Sequence, residues 1–477
     1  MTVFTEKSEE ILKLPSGWRT ARVGEILKIR NGYAFKSTDY KDTGVPLIRQ
    51  SELKSDVIDL AEVKRVDPAF LQKLSGFVVR EGDLLIGMSG SLGKIAEYQN
   101  QEPALQNQRT GLLILKPGYD AKFVRLVLKL VEPQIVAEGK GVAVQNVSAN
   151  EIEACTFPLP PPDERGRIVA EIEQQFTRLD AGVAALRRTQ ANLKRYRAAV
   201  LKAACEGHLV PTEAELTKQQ PSKRSSIPRK NSGPNFESGA LLLERILAER
   251  RQNWSGRGKY EEPAVPYTAE FPKLPNGWSW ACLEQLGMTY GGLTKNPKRA
   301  KLPKQLPYLR VANVYANELR LDEIEYIGVS DSELTKLLVR KGDLLIVEGN
   351  GSKDQIGRLA IWDGSIESCV HQNHLIKVRP VEAQMSKWIL HWLQSPGGRQ
   401  NVELVASSTS GLFTLSVSKV GNLAIPVPPL AEQTRIVAEV ERRLSVVGQL
   451  EKVLTANLHR AKHLRQSILQ MAFTGSA

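Results

Sequence analysis

Short apolar runs bounded by glycine, proline or charge alternate along this chain with two long stretches in which apolar residues recur every three and four positions. In the first region, roughly 14–157, Pro46-Leu47-Ile48-Arg49, Phe77-Val78-Val79-Arg80, Asp83-Leu84-Leu85-Ile86 and Gly111-Leu112-Leu113-Ile114-Leu115 predict brief strands. Phe123, Leu126, Val127, Leu130 and Val131 share one helical face and predict a helix over Ala121–Ala137, with a counterpart near Met385–Leu393. These elements make a mixed α/β globule.

After the proline run Pro158–Pro162, Asp163-Glu164 places negative charge where a helix N-terminus favours it. Ile172, Leu179, Leu186, Leu193 and Val200, with Phe176 and Val183 between them, then follow the 4-3 spacing of a coiled-coil seam. Val440, Leu444, Val447, Leu454, Leu458 and Ile468 draw the same stripe near the C-terminal end. Gln190, Arg197, Glu451 and Arg465 interrupt seam positions, so each helix is imperfect alone. The alternative is a single amphipathic helix folded onto its own globule, but at ~65 Å it would overhang a domain of this size.

The chain also repeats itself. Pro158–Gly207 lies on Pro426–Gly475 without a gap, and Arg167-Ile168-Val169-Ala170-Glu171 returns as Arg435-Ile436-Val437-Ala438-Glu439. Leu14-Pro15-Ser16-Gly17-Trp18 returns as Leu274-Pro275-Asn276-Gly277-Trp278, and Arg80-Glu81-Gly82-Asp83-Leu84-Leu85-Ile86 as Arg340-Lys341-Gly342-Asp343-Leu344-Leu345-Ile346. The order is globule, helix, globule, helix, which implies internal pseudo-two-fold symmetry with two similar working surfaces. Between the halves, Gln219–Pro234 is poor in apolar residues and rich in proline, serine and cations, as a mobile linker would be. A short helix, Ala240–Arg251, follows.

At 477 residues the chain exceeds one hydrophobic core, and 42% hydrophobic with 25% charged residues is a soluble composition. A net charge of +13 points to a polyanionic partner. Cys155, Cys205, Cys282 and Cys369 stand far apart, which indicates neither a disulfide framework nor a zinc ribbon. Met1–Lys7 has no apolar leader and no long apolar run appears elsewhere, so the cytoplasm is the expected compartment.

Catalytic signatures are missing. The Pro-Pro pairs continue as Pro162-Asp163 and Pro429-Leu430 rather than into the Asn/Asp-Pro-Pro-Tyr/Phe of adenine methyltransferases. Gly87–Ile95 superficially suggests a phosphate loop, yet Met88 replaces the first required glycine and Ile95 the magnesium-binding hydroxyl, leaving a glycine-rich turn between strands. Cys369 and His371 would share a strand face with His374 opposite, an arrangement unsuited to a metal.

On these repeated motifs, taken in order and twice over, the chain resembles the DNA-specificity subunit of type I restriction-modification systems over essentially its whole length. The resemblance implies an α+β molecule: a first target-recognition domain (1–157), a first spacer helix region (158–210), a linker with a short helix (211–270), a second recognition domain (271–425) and a second spacer helix region (426–477). The two helices would pack as an antiparallel coiled coil. It further implies a non-catalytic subunit that reads bipartite double-stranded DNA, one half-site per domain, for two copies of an adenine-N6 methyltransferase and for restriction/translocase subunits. S-adenosylmethionine and ATP-magnesium would sit on those partners, with no cofactor in this chain. A methyltransferase or nuclease in its own right, and a scaffold that reads no sequence, are the alternatives.

A base reader needs side chains with a defined donor and acceptor, and cations nearby for phosphates. In the first globule these are Arg49, Gln50 and Ser51; Ser89 and Ser91; Gln106, Asn107, Gln108 and Arg109; and Lys140, Gln145 and Asn146. In the second they are Arg310 and Asn313; Asn350, Ser352 and Lys353; Gln372, Asn373 and His374; and Thr409 and Ser410. Where the globules agree, as at Arg49 and Arg310, support of the fold or a phosphate grip is expected. Where they differ, as in Ser91-Leu92 against Ser352-Lys353, base reading is expected.

Overall fold

The computed structural model describes residues 14–54, 56–141, 144–219, 236–254, 258–269, 271–352, 355–409 and 412–475. It is mixed α/β with two long helices, Pro162–Cys205 of 44 residues and Leu430–Thr474 of 45. Two compact units divide it: Met1–Arg188 with Leu454–Ala477, and Thr189–Val453. Each long helix contributes residues to both.

In the first unit the expected strands are present with adjusted ends. Leu27–Asn31, Thr110–Leu115, Leu84–Gly87 and Ile95–Glu97 form an antiparallel sheet in that order. A second sheet orders Arg65–Val66, Val45–Ile48, Ala104–Gln106 and Val78–Val79, its central pair parallel. The helix Ala121–Ala137 occupies the expected span, with Asp120 Oδ1 accepting from Phe123 N at 2.9 Å as its cap. Its predicted face, Phe123, Leu126, Val127, Leu130 and Val131, is buried against Ile29, Ile86 and Leu113.

The first sheet of the second unit is Gly287–Tyr290, Leu375–Pro380, Leu344–Val347 and Leu359–Ile361, again antiparallel. The second sheet orders Glu325–Gly328, Gln305–Leu309 and Val370–His371, the last pair parallel. Helix Met385–Gln394 packs through Trp388 and Trp392, whose indole nitrogens donate to Pro426 O at 2.7 Å and Ala424 O at 2.8 Å. The short helix spans Gly239–Gln252, and a further helix, Glu213–Gln219, precedes the linker, whose remaining residues lie outside those described.

One pair of strands per unit was not expected. Arg19–Arg22 pairs antiparallel with Thr156–Leu159, and Ser279–Cys282 with Ala424–Val427. Pro158 and Pro426 sit inside these strands, which two-stranded ribbons tolerate because an edge needs no donor. The ribbons explain the repeated Leu-Pro-x-Gly-Trp. Gly17 and Gly277, at φ +85° and +91°, shape tight turns closed by Trp18 N to Pro15 O at 3.0 Å and Trp278 N to Pro275 O at 3.1 Å. Each tryptophan then donates to the first turn of the helix after its globule, Trp18 Nε1 to Glu164 Oε2 at 3.2 Å and Trp278 Nε1 to Glu432 Oε1 at 2.8 Å. Glu432 is buried, and burial raises its pKa. Each proline meets the end of a long helix: a Cβ on Gly475 would lie 2.1 Å from Pro15 Cγ, and one on Gly207 2.5 Å from Pro275 Cγ.

Along the seam, Ile172, Val200, Val440, Val447, Leu454 and Ile468 are buried, while Phe176, Leu179, Val183, Leu186, Leu193, Leu444 and Leu458 are half-buried. In the first unit Ile168, Val169 and Ile172 share a core with Ile468, Leu469, Ala472 and Phe473. In the second unit Val200, Leu201, Ala204 and Cys205 share one with Ile436, Val437 and Val440. The charged interruptions find partners. Arg197 Nη2 reaches Glu451 Oε2 at 2.9 Å, and Arg465 bonds Asp180 while lying 4.4 Å from the Phe176 ring centroid.

Candidate nucleic-acid interface

Three separated segments of the first unit meet at one concavity of about 700 Å³. The parallel strands Val45–Ile48 and Ala104–Gln106 end side by side, so the turns after them, carrying Arg49–Ser51 and Asn107–Arg109, are brought together. The turn after Leu84–Gly87 brings Ser89 and Ser91 to the same place. That turn is tight: Gly87 N donates to Lys94 O at 2.8 Å, and Gly90 and Gly93 take positive φ. Gly87 leaves room for the Gln50 amide, since a Cβ there would lie 2.4 Å from Gln50 Nε2.

Within this group, side chains divide into supports and free groups. Arg49 Nη2 bonds Glu52 Oε1 at 2.8 Å, Ser51 Oγ bonds the same oxygen at 2.8 Å, and Glu52 is buried. Gln106 is fully buried, its Nε2 donating to Arg30 O at 3.0 Å and Thr110 O at 2.7 Å. Asn107 is buried and accepts from Arg109 N at 3.3 Å. Gln106 and Asn107 therefore help to hold the loop, Gln106 Oε1 being buried without a partner and Asn107 lining the concavity. Gln50 Nε2 donates to Ser91 O at 2.9 Å, leaving Gln50 Oε1 buried without a partner, and Ser89 Oγ is in the same condition. Unpaired buried polar atoms lining a concavity are costly unless a ligand completes them. Gln108, Arg109 and Ser91 are exposed, as is Lys94, and neither cation has an ion-pair partner among the described residues.

Backbone pairing sets Asn146 against both Ser89 and Lys140. Lys140 Nζ is engaged by Glu151 at 2.5 Å, and that bond, ahead of those from Ser148, holds the Glu151 carboxyl down to about 2. Asn146 Nδ2 turns back to Val144 O at 3.0 Å, and Gln145 is exposed beside the concavity's rim. Lys54, Lys94 and Tyr40 also line the concavity and were missed, since no periodicity marks loop residues.

The corresponding loops of the second unit are wired differently. Asn313 is buried, accepts from Arg310 N at 2.8 Å and donates to Arg320 O at 2.8 Å and Glu323 O at 3.0 Å, so it occupies the supporting role of Glu52. Arg310 Nη1 bonds Glu325 Oε1 at 2.7 Å. Gln372 Oε1 accepts from Val311 N at 3.2 Å, which makes Gln372 partly a support. Asn373 is half-buried, and exposed His374 bonds Glu348 Oε2 at 3.0 Å through Nδ1. Arg320 and Arg358 flank the Tyr315 ring at 3.9 and 4.9 Å, an unforeseen cationic cluster beside Val311. Gly349–Asn350 pairs with Leu412–Thr414, which pairs with Ser407–Thr409, so the Asn350 and Thr409 backbones are two strands apart. Ser352 O accepts from Gln355 N at 3.1 Å. Lys353 and Ser410 lie outside the described residues.

The histidine and cysteine near this edge are structural. His371 is buried with Nδ1 at 2.9 Å from Leu375 O, and burial pulls its pKa down to about 4. Burial pushes the Cys369 thiol up to about 12. Among the described residues no group of three or more His, Cys, Asp or Glu is placed to hold a metal. No helix there is long and apolar enough to cross a membrane.

Residues 15–188 match the family model of the type I restriction modification DNA specificity domain. The whole chain is similar to the EcoKI specificity subunit of Escherichia coli K12, 25% identical over 97% of this chain and 90% of that protein. It is similarly related to the EcoBI specificity subunit of Escherichia coli, 25% identical over 98% and 87%, and to the StySPI specificity subunit of Salmonella potsdam, 24% over 97% and 90%. A chain solved in work on assembly of a type I R-M system shares the fold, with TM-score 0.62 and 20% identity over 98% of this chain and all of that one. The resemblance read from the motifs is borne out.

Proposed function

We propose that this homologue of the type I restriction-enzyme specificity subunits reads a bipartite DNA target, one half-site per recognition domain, and carries no chemistry of its own. The observation that carries this most directly is the first unit's concavity, where Gln50 Oε1 and Ser89 Oγ lack partners and Gln108, Arg109 and Lys94 stand exposed. Such a set offers acceptors and donors to base edges and cations to phosphates. In the second domain Asn373, His374 and Arg358 take that part, while Arg320 is paired with Glu318 at 3.0 Å. Arg49 and Arg310, each neutralised by a glutamate, are supports.

The long helices act as an antiparallel ruler with pseudo-two-fold symmetry. The order of the cross-helix pairs supports the antiparallel sense: Asp180 with Arg465, then Arg197 with Glu451. The repeated tryptophan, proline and strand-pair contacts support the symmetry. Readers in adjacent major grooves on one side of DNA sit about 34–36 Å apart, and the coil holds that separation. On the second long helix Val446, Leu450, Val453, Leu464 and Met471 form an exposed apolar stripe flanking the seam, with Leu464 beside Leu179, Val183 and Leu186. This stripe receives the methyltransferase subunit, which brings S-adenosylmethionine, while restriction subunits bring ATP-magnesium. The complex works in the cytoplasm, where its DNA is.

The test is to express the chain with its partner methyltransferase and sequence the methylated genome. A split motif with N6-methyladenine in each half is expected, and no methylation without the partner. Removing one heptad from each helix, Arg178–Ala184 and Val446–Lys452, is expected to keep both half-sites and change the spacer. An unchanged spacer in an active complex removes the ruler.

A further inference from the structure

The second unit has another concavity, at the opposite end of its main sheet from the reading loops. His374 precedes strand Leu375–Pro380 and Arg379 lies near its far end, roughly 15–20 Å away at the usual rise per residue. There the end of helix Gly239–Gln252, the paired residues Met288 and Arg379 with the Tyr290 side chain beside them, and helix Asp331–Leu337 enclose about 660 Å³. That is the size of a small-molecule site. Helix Gly239–Gln252 lies in the segment between the repeats and has no counterpart among the described residues of the first unit.

Its charge is unbalanced. Arg250, Lys336, Arg340 and Arg379 line it. Asp343 is committed to Arg379, at 2.8 Å to Nε and 2.6 Å to Nη2, and Glu249 is the other carboxylate on its wall. Lys336 and Arg340 have no side-chain partner among the described residues. Arg250 is 9% exposed; its Nη1 bonds Gly287 O and Met288 Sδ, and its Nε is buried without a partner. Beneath the wall Lys377 is fully buried, donating to Lys336 O and, at 2.9 Å, to Leu338 O, with the Tyr290 ring centroid 4.6 Å away. Burial, then the neighbouring Arg379, holds Lys377 down to about 7. Cations crowded in a recess without enough internal counter-charge are relieved by a bound anion. Tyr290 and Trp254 add ring faces, and Ser332 and Thr335 add hydroxyls.

We propose that this concavity binds a phosphate-bearing small ligand of nucleotide size, with Arg340 and Lys336 taking the phosphates, Arg250 completing their coordination from the wall, and an aromatic ring facing the remainder. The site is independent of the DNA-reading surface, and its occupancy is read without target DNA.

Calorimetric titration of the full chain with tripolyphosphate, ATP, adenosine and a short duplex without the target separates the sources of phosphate. Tripolyphosphate and ATP are expected to bind one per chain, and adenosine not measurably. The double variant Lys336→Gln/Arg340→Gln, at exposed positions, is expected to weaken both about tenfold or more, a loss of about 1.4 kcal/mol. Ser332→Asp, which sets a carboxylate in the recess, should do the same. Arg80→Gln, the matching arginine of the first unit, should leave binding unchanged. No binding of either phosphate compound, binding unaffected by these variants, or binding of the duplex alone would each overturn the proposal.

Discussion

The two globules solve one folding problem with different side chains, and the contrast separates architecture from reading. Both use the tryptophan tie, the closing ribbon and an arginine whose backbone is capped three residues on, by Glu52 in one and Asn313 in the other. Their main sheets differ at several register positions, one of which exchanges an apolar residue for a cation. Leu112 faces Leu85 across the strands of the first unit, and Lys377 faces Leu345 in the second. The carbonyl before each repeated Val-Arg-x-Gly-Asp motif is met by Arg30 at Val78 O in the first unit, and by Lys377 and Arg379 at Leu338 O in the second. What recurs is geometry, while the cation that serves it has moved between strands.

The largest expected effect breaks the comparison at its tie. Trp278→Ala should cost the second unit about 3–5 kcal/mol, because the indole is buried and its loss also strands Glu432. Trp18→Ala should cost the first unit less, its indole being half-buried and its bond longer. Hydrogen exchange followed segment by segment would show which unit loosens; equal losses would contradict the difference in burial.

Next in size is the pH response of Lys377. Its folded value, about 7, lies below the ordinary 10.5, so between those values the unfolded chain binds the extra proton and stability rises with pH. The gain is on the order of a few kcal/mol. Lys377→Met should flatten that rise in the second unit, while the first, with Leu112, shows no such rise from this position. Denaturant unfolding from pH 7 to 10 checks both.

Reading should fail one half at a time. Arg109→Ala or Gln108→Ala is expected to relax one half-site by about 1–3 kcal/mol and leave the other intact, and Asn373→Ala to do the converse. Methylated-motif sequencing with partners present reads each half separately, and loss of both halves from one substitution would deny independent domains. The smallest effect belongs to the seam. Breaking Arg197 and Glu451 singly should cost about 0.2–1 kcal/mol, since both are over a third or nearly a third exposed. A double-mutant cycle with the exchanged pair Arg197→Glu/Glu451→Arg should recover part of it.

Helices were legible where periodicity was long: Ala121–Ala137 and the two long helices are present where the spacing predicts them, despite Pro133 within the former. The ribbons were hidden because Pro158 and Pro426 read as breakers, and only the fold reveals them as edges. The loops were legible as regions rather than contacts. Polar type singled out Gln50, Gln106 and Asn313, but which amide turns inward depends on strand register, which no local pattern states. The recess around Arg250 left no trace either, being assembled from four segments.

The charged interruptions of the seam carry a consequence for descent. Arg197 is acceptable because Glu451 is opposite, and Arg465 because Asp180 is, though each pair is encoded far apart in the gene. A lineage that exchanges one globule by recombination keeps these pairs matched only if both members of each come from the same parent. Crossovers outside the helical segments leave both pairs matched, while each crossover within a helix unmatches at most the pairs beyond it.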